Sequence, residues 1–361
     1  MRIFLILFVL STIELFGQEQ QSKNLVLITI DGLRWQELFN GADEYLINHK
    51  KFSKDQEGLK TAFWDRQSAE RRKKLLPFVW TEIADKGQIY GNRNYMNHMN
   101  LTNRHWFSYP GYSEILCGFA DDERINSNEK KNNPNKTFLE YLNERDDFKG
   151  KVAAFASWDV FPFIINKDRN GIHVNAGFDH TDNNRANEAQ RMIGKIQDEI
   201  RGPWAGVRLD PFTHNYAMEY MKKNKPRVLY IAYGETDDWA HHGDYDEYLK
   251  SALQTDQYIK EIWEFIQSTE GYKDNTTLII TTDHGRGLKK NWKHHGSQVD
   301  QSDEVWMAIM GPDIEPLGEV KQNQQLYSNQ LAKTAVYCLD LDYTNSKEVG
   351  PVVPNIKTKS E

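Results

Sequence analysis

Residues 25–32 read Leu25-Val26-Leu27-Ile28-Thr29-Ile30-Asp31-Gly32: six apolar or β-branched residues in succession, then an acid and a glycine. A run this short, without polar alternation, suits a strand covered on both faces, as in a parallel sheet clothed by helices. The design returns downstream. Val152–Phe155, Val228–Tyr233 and Leu278–Thr282 are further uninterrupted runs, and a fifth, Val305–Met310, ends at Gly311-Pro312. Helical periods lie between them. Thr137–Arg145 places Phe138, Tyr141 and Leu142 on one side, and Asp246–Gln267 does the same with Tyr248, Leu249, Leu253, Ile259, Ile262, Trp263 and Ile266. The alternation predicts an α/β fold: a doubly wound, mostly parallel sheet sandwiched between helices. No internal repeat or low-complexity linker interrupts it, so a single domain is expected over residues 23–345. The charged, weakly periodic segment Ala42–Lys74 is expected to form a small cap or insertion. The Asn-rich segment Asp121–Lys136 reads as a long loop of the kind that carries function.

Composition narrows the classes. With 39 % hydrophobic and 12 % aromatic residues in 361, the chain can bury a large core and is not a disordered one. A net charge of −7 provides no general attraction to nucleic acid, and no such partner is expected. Cys117 and Cys338 are the only cysteines, which excludes a disulfide scaffold and a Cys-rich metal site. At the amino end, Met1-Arg2 precedes the apolar stretch Ile3–Leu10, then Ser11–Phe16, Gly17 and a Gln-rich segment. This reads as a secretory signal peptide over residues 1–17, with an uncleaved anchor as the alternative. No other stretch is apolar enough to cross a bilayer. The mature protein is therefore expected to be exported, periplasmic or secreted, with no stable membrane span. Residues 346–361, rich in Lys, Pro and Ser, read as a flexible tail.

Three of the apolar runs end alike. The first meets Asp31-Gly32. The second meets Gly234-Glu235-Thr236-Asp237-Asp238, with His241 just beyond. The third meets Asp283-His284-Gly285. In an open parallel sheet the carboxyl ends of the strands face one crevice. Singly, each aspartate reads as a turn residue or helix cap. Together, three carboxylates with nearby imidazoles read as a metal site, and the Asp/His donor set suits Zn²⁺. Of the pair His294-His295, His295 is the expected ligand, because Gly296 beside it allows a close backbone approach. Ser108-Tyr109-Pro110-Gly111 begins like a loop entering a helix, whose first amides suit an anion. Beside the cluster, Ser108 reads as a nucleophile acidified by a cation; without it, as a plain N-cap.

From Asn24 to Pro312 these motifs resemble the alkaline phosphatase superfamily, most nearly its exported phosphatase and type I nucleotide phosphodiesterase-like branches. The resemblance implies two Zn²⁺ ions, or other divalent metals, sharing an alkoxide nucleophile. One would take Asp31, Ser108, Asp283 and His284, the other Asp237, His241 and His295. It also implies an asparagine about twenty residues after the nucleophile that holds a phosphoryl oxygen. Asn128 has that spacing, with Asn126 a near rival. Lys167-Asp168-Arg169 looks like the Lys-x-Arg element that clamps monoester substrates, since two cations neutralise a dianion better than a monoanion. The implied activity is an exported, metal-dependent phosphoric ester hydrolase, foremost a phosphomonoesterase acting on a small phosphorylated substrate. A phosphodiesterase or nucleotide pyrophosphatase, a sulfatase-like hydrolase and a non-catalytic metal-binding protein are the alternatives. Two departures stand out. Ser108 replaces the threonine usual in the family's phosphodiesterases. Tyr112 stands where sulfatases carry an arginine.

Overall fold

The structure is a computed structural model that describes residues 23–182 and 184–358; the expected signal peptide over residues 1–17 lies outside them. Ten strands follow in chain order: β1 (Asn24–Ile30), β2 (Gly87–Tyr90), β3 (Asn97–Asn100), β4 (Val152–Ala156), β5 (His173–Ala176), β6 (Val228–Tyr233), β7 (Thr276–Thr281), β8 (Met307–Met310), β9 (Gly318–Glu319) and β10 (Gln324–Tyr327). Eight of them form one sheet in the order β5-β4-β6-β1-β7-β8-β2-β9, while β3 and β10 pair separately. Neighbours from β5 to β7 are parallel.

Every residue of β1, β4, β6 and β7 is buried, which is why these strands read as unbroken apolar runs. Val26, Ile28 and Ile30 face one helical layer, packing in a cluster with Tyr216, Met221, Leu249, Ile259 and Ile262. Leu25 and Leu27 face the other, with Ile115, Leu116, Leu139, Leu142 and Val336. The register then sets the site. Ile30 lies opposite Tyr233, and Thr29 lies opposite both Ala232 and Thr281. Asp31, Gly234 and Asp283 therefore leave the sheet side by side at one edge.

Three expectations are corrected. The run Val305–Met310 contains strand β8, but it lies antiparallel to β7 and β2. Continuous hydrophobicity reports burial on both faces and carries no information on strand direction. Of the cap and the insertion expected for Ala42–Lys74, the segment is an insertion and does not stand apart as a cap. It contains the short helices Glu44–Ile47, Gln56–Phe63 and Ser68–Leu75, which bury Leu46, Ile47, Leu59, Phe63 and Leu75 in the core of one sheet face. The segment from residue 346, expected as a flexible tail, is held against the body as far as residue 358. Val353 and Ile356 are buried, the Gly350 N–H donates to the Gly118 carbonyl at 2.9 Å, and Lys357 pairs with Asp313 at 3.0 Å. Among the described residues no helix is long and apolar enough to cross a membrane.

Candidate active site

The sharp turn after β1 brings Asp31 into the crevice. Gly32 takes a positive φ of 59° there, and a Cβ on it would come within 2.8 Å of both the Arg286 guanidinium and the Asp237 carboxylate. Its N–H donates to Asp283 Oδ1 at 3.1 Å, which fastens the end of β1 to the end of β7. After β6 the helix Glu235–His242 begins at once, so Asp237 and His241 share a face one turn apart, with Oδ2 and Nε2 separated by 3.2 Å. Asp283 and His284 follow β7 and are fully buried. Ser108 is the first residue of the helix Ser108–Cys117, after an extended Phe107.

These side chains converge. His284 Nε2 lies 3.3 Å from Asp31 Oδ1, 3.5 Å from Asp283 Oδ2 and 3.3 Å from Ser108 Oγ. His295 Nε2 lies 3.0 Å from His241 Nε2 and 3.7 Å from Asp237 Oδ1. The His284 and His295 rings stack with centroids 3.9 Å apart, so the two groups adjoin. Asp237 stands between them, its Oδ1 3.8 Å from His284 Nε2. His294 is exposed.

Do these residues fit a metal? Asp31 Oδ1 and Asp283 Oδ2 are buried without a hydrogen-bond partner among the described residues. An unpaired buried carboxylate oxygen is costly, and a divalent cation is the partner that removes the cost. Asp237, His241 and His295 offer one group of convergent donor atoms, and Asp31, Asp237 and His284 another, each within 4.8 Å. Donors about 2.0–2.2 Å from a tetrahedral ion stand about 3.3–3.6 Å from one another, close to the separations found here. The histidines are oriented for the task. His284 Nδ1 meets the Gly285 carbonyl at 2.9 Å and His295 Nδ1 meets the Trp106 carbonyl at 3.3 Å. A carbonyl only accepts, so the proton sits on Nδ1 and the Nε2 lone pair faces the cluster.

Electrostatics agrees. Burial, with Asp237 adding to it, pushes Asp31 well above the usual carboxylate range, and burial followed by Asp31 does the same to Asp283. Burial would raise Asp237 too, but Arg286 and His241 outweigh it and hold that carboxyl well below its ordinary value. Burial, then the neighbouring His284, pulls His295 well below the usual imidazole range, leaving the neutral form that binds a cation.

Asn128 is brought to the nucleophile helix. Its Oδ1 accepts the Tyr109 N–H at 3.0 Å, leaving its amide Nδ2 available to a ligand. The Tyr109 N–H is thereby occupied and is not a free donor for a substrate oxygen. Asn126 instead donates to the Glu123 carbonyl at an exposed position. Lys167 and Arg169 are not brought to the site, which corrects the clamp expected from the sequence. Lys167–Asn170 is a single turn just ahead of β5, whose first residue, His173, pairs with Ala153 near the start of β4. That is the amino edge of the sheet, opposite Asp31. The Arg169 guanidinium donates to Glu140 at 2.7 Å and to the carbonyls of Asn133 and Asn135 at 3.0 and 2.9 Å. Asn133 in turn meets Cys117, at the far end of the helix that Ser108 begins. The Arg169 guanidinium serves a loop closure.

Sequence reasoning missed Arg286 and Tyr112. The Tyr112 hydroxyl donates to Asp31 Oδ2 at 2.8 Å, and Arg286 bonds Asp237. Both sit inside motifs already singled out: Arg286 follows Asp283-His284-Gly285, and Tyr112 lies one turn after Ser108.

Residues 212–338, which include Asp237, His241, Asp283, His284 and His295, match the model of the Metalloenzyme superfamily. No curated sequence is similar to the chain. Among solved structures, the alkaline phosphatase PafA is similar with a TM-score of 0.62 at 10 % identity, over 94 % of this chain and 99 % of that one. A putative sulfatase from Bacteroides thetaiotaomicron gives 0.59 at 11 % identity, over 94 % and 76 %. The phosphonate monoester hydrolase SpPMH from Silicibacter pomeroyi gives 0.55 at 13 % identity, over 88 % and 73 %. The chain shares the α/β fold of these three structures, and residues 212–338 match the Metalloenzyme superfamily model within it.

Proposed function

We propose that this chain is an exported hydrolase of phosphoric esters that uses Ser108 as nucleophile beside two divalent cations, zinc by the character of the donors. The observation that carries this reading is Ser108 Oγ, 3.3 Å from His284 Nε2 and next to the unpartnered oxygens of Asp31 and Asp283. When bound there, the cations would lower the pKa of the Ser108 hydroxyl and offset charge on the leaving oxygen. The chain's own residues do the rest. The Ser108 hydroxyl gives its proton to water, its Oγ forms a bond to phosphorus as the bond to the ester oxygen breaks, and the departing alkoxide takes a proton back from water. A water molecule then cleaves the phosphoserine, releasing phosphate or its monoester and restoring the serine. Asn128, its Oδ1 fixed by Tyr109, donates through Nδ2 to a non-bridging oxygen.

A dianionic monoester calls for a cationic clamp. With Lys167 and Arg169 at the opposite edge of the sheet, a singly charged phosphodiester suits the site better, and a monoester is the second reading. Tyr112, hydrogen-bonded to Asp31 where a sulfatase would hold an arginine, argues against sulfate esters.

The test is turnover of aryl phosphate, bis-aryl phosphate and aryl sulfate by wild type and Ser108→Ala, each with its metal content measured. The bis-aryl ester is expected to react fastest. Ser108→Ala should lose about a thousandfold or more in kcat while keeping its metal. Unchanged turnover in Ser108→Ala overturns the covalent route, and preference for the sulfate ester overturns the substrate class. The export reading is checked by the amino-terminal residue of the protein recovered outside the cytoplasm, which should lie beyond Gly17.

A further inference from the structure

One fully buried guanidinium joins three pieces of the site. Arg286 Nη1 donates to Asp237 Oδ1, Nε donates to the Trp292 carbonyl at 2.8 Å, and Nη2 donates to the Lys293 carbonyl at 2.6 Å. Lys293 lies two residues before His295, so the same side chain grips the carboxylate of one ligand and the main chain that presents another. The bare Cα of Gly32 is what leaves it room.

This arrangement gives the two oxygens of Asp237 different surroundings. Oδ2 faces His241 Nε2 at 3.2 Å. Oδ1, held by Arg286, lies at the longer distances of 3.7 Å from His295 Nε2 and 3.8 Å from His284 Nε2. Without a fixed partner on Oδ1, this carboxylate stands where it can serve either ligand group. A planar guanidinium with several donors in a rigid fork can hold a carboxylate oxygen and two carbonyls together, and lysine cannot.

We infer that Arg286 is a positioning residue that assigns Asp237 to a single cation: it occupies Oδ1, leaves Oδ2 as a one-oxygen ligand alongside His241 and His295, and keeps Asp237 out of the Asp31–Asp283–His284 group. This rests on the reading of the cluster as a metal centre. Its consequence is two cation sites of unequal affinity, of which the His241–His295 site depends on Arg286.

The test is a zinc titration of the full chain against a chromogenic chelator, with bound metal counted by mass spectrometry, for wild type, Arg286→Lys and Arg286→Ala. Wild type should bind two ions with distinct affinities. Arg286→Ala should weaken one site by about 10–100-fold, the usual cost of losing a group that orients a ligand, and leave the other little changed. Arg286→Lys should fall between them. Millimolar guanidinium should restore the weakened site in Arg286→Ala, a rescue that a general loss of packing would not show. Two unchanged sites in both variants, or two equally weakened sites without rescue, overturn the inference. If Arg286→Ala does not fold, Arg286→Lys decides, and wild-type affinities in it overturn the inference. A wild type that binds no divalent ion refutes the metal reading instead.

Discussion

Gly111 lies against the main-chain carbonyl of Asp283: a Cβ at Gly111 would come within 2.2 Å of that oxygen. The contact joins the helix that begins with Ser108 to the turn after β7, so it sets how far the hydroxyl stands from the ligands. In a free helix alanine is preferred to glycine by about 1 kcal/mol. Here the sign reverses, because backbone cannot yield as a flexible side chain would. Gly111→Ala is expected to lower the thermal midpoint and to cut kcat/KM by about a hundredfold, as misplacement of a reacting group by about 1 Å does. Thermal unfolding and steady-state kinetics check both.

Asn128 separates two roles in one side chain. Its Oδ1 anchors on the Tyr109 N–H, and only Nδ2 remains for a substrate oxygen. Asn128→Asp retains the acceptor and loses the donor. Its expected effect is a fall in kcat/KM of about 10²–10³, the cost of one oxyanion donor, with an unchanged thermal midpoint. Equal activity would mean that the amide does not meet the substrate.

Arg169 should behave as a structural residue and Lys167 as a dispensable one. Lys167→Ala is expected to leave kcat and KM unchanged on mono- and diesters alike. Arg169→Ala should lose about 1–2 kcal/mol of stability, because it strands Glu140, whose side chain is only 5 % exposed, while the partly exposed guanidinium is itself screened. Denaturant midpoints and kinetics on both substrates distinguish this from a clamp, which would lose monoester turnover selectively.

A pH dependence follows from Asp256, on the long helix Tyr245–Ser268. Its carboxylate accepts the N–H groups of Phe78 and Val79 at 2.7 and 3.0 Å, yet burial outweighs them and pushes its pKa up to about 7. An unfolded aspartate titrates near about 3.9, so between these values the folded chain holds more protons than the unfolded one. Stability from this group is therefore greatest at low pH and declines as pH rises from about 4 to 7. Asp256→Asn cannot titrate. Wild type should lose stability relative to it across that interval and run parallel above it, as read from urea midpoints at each pH. A constant difference from pH 4 to 8 would contradict the raised value.

Much of the candidate ligand cluster is written in the sequence. Asp31, Asp237 and Asp283 each follow an uninterrupted apolar run, and parallel register carries the ends of those runs to one edge. The inference needed only burial and chain polarity, both written in short windows of sequence. Arg286 lay in the same window as Asp283 and His284, but nothing local told it apart from a surface arginine, because its partners Asp237, Trp292 and Lys293 come from two other segments.

The amino-acid sequence by itself determined the layered α/β architecture, the strands that are covered on both faces, and the acidic and imidazole groups at their ends. Periodicity, burial and donor chemistry are properties of short stretches, and short stretches express them wherever they lie. Only the tertiary structure decided that β8 runs against its neighbours, that Ala42–Lys74 packs its few apolar residues into the core, that residues 346–358 pack down, and that Lys167 and Arg169 sit at the wrong edge for a substrate. Each of these depends on the path of the chain between elements. That path is set by packing among residues distant in sequence, which no local pattern records.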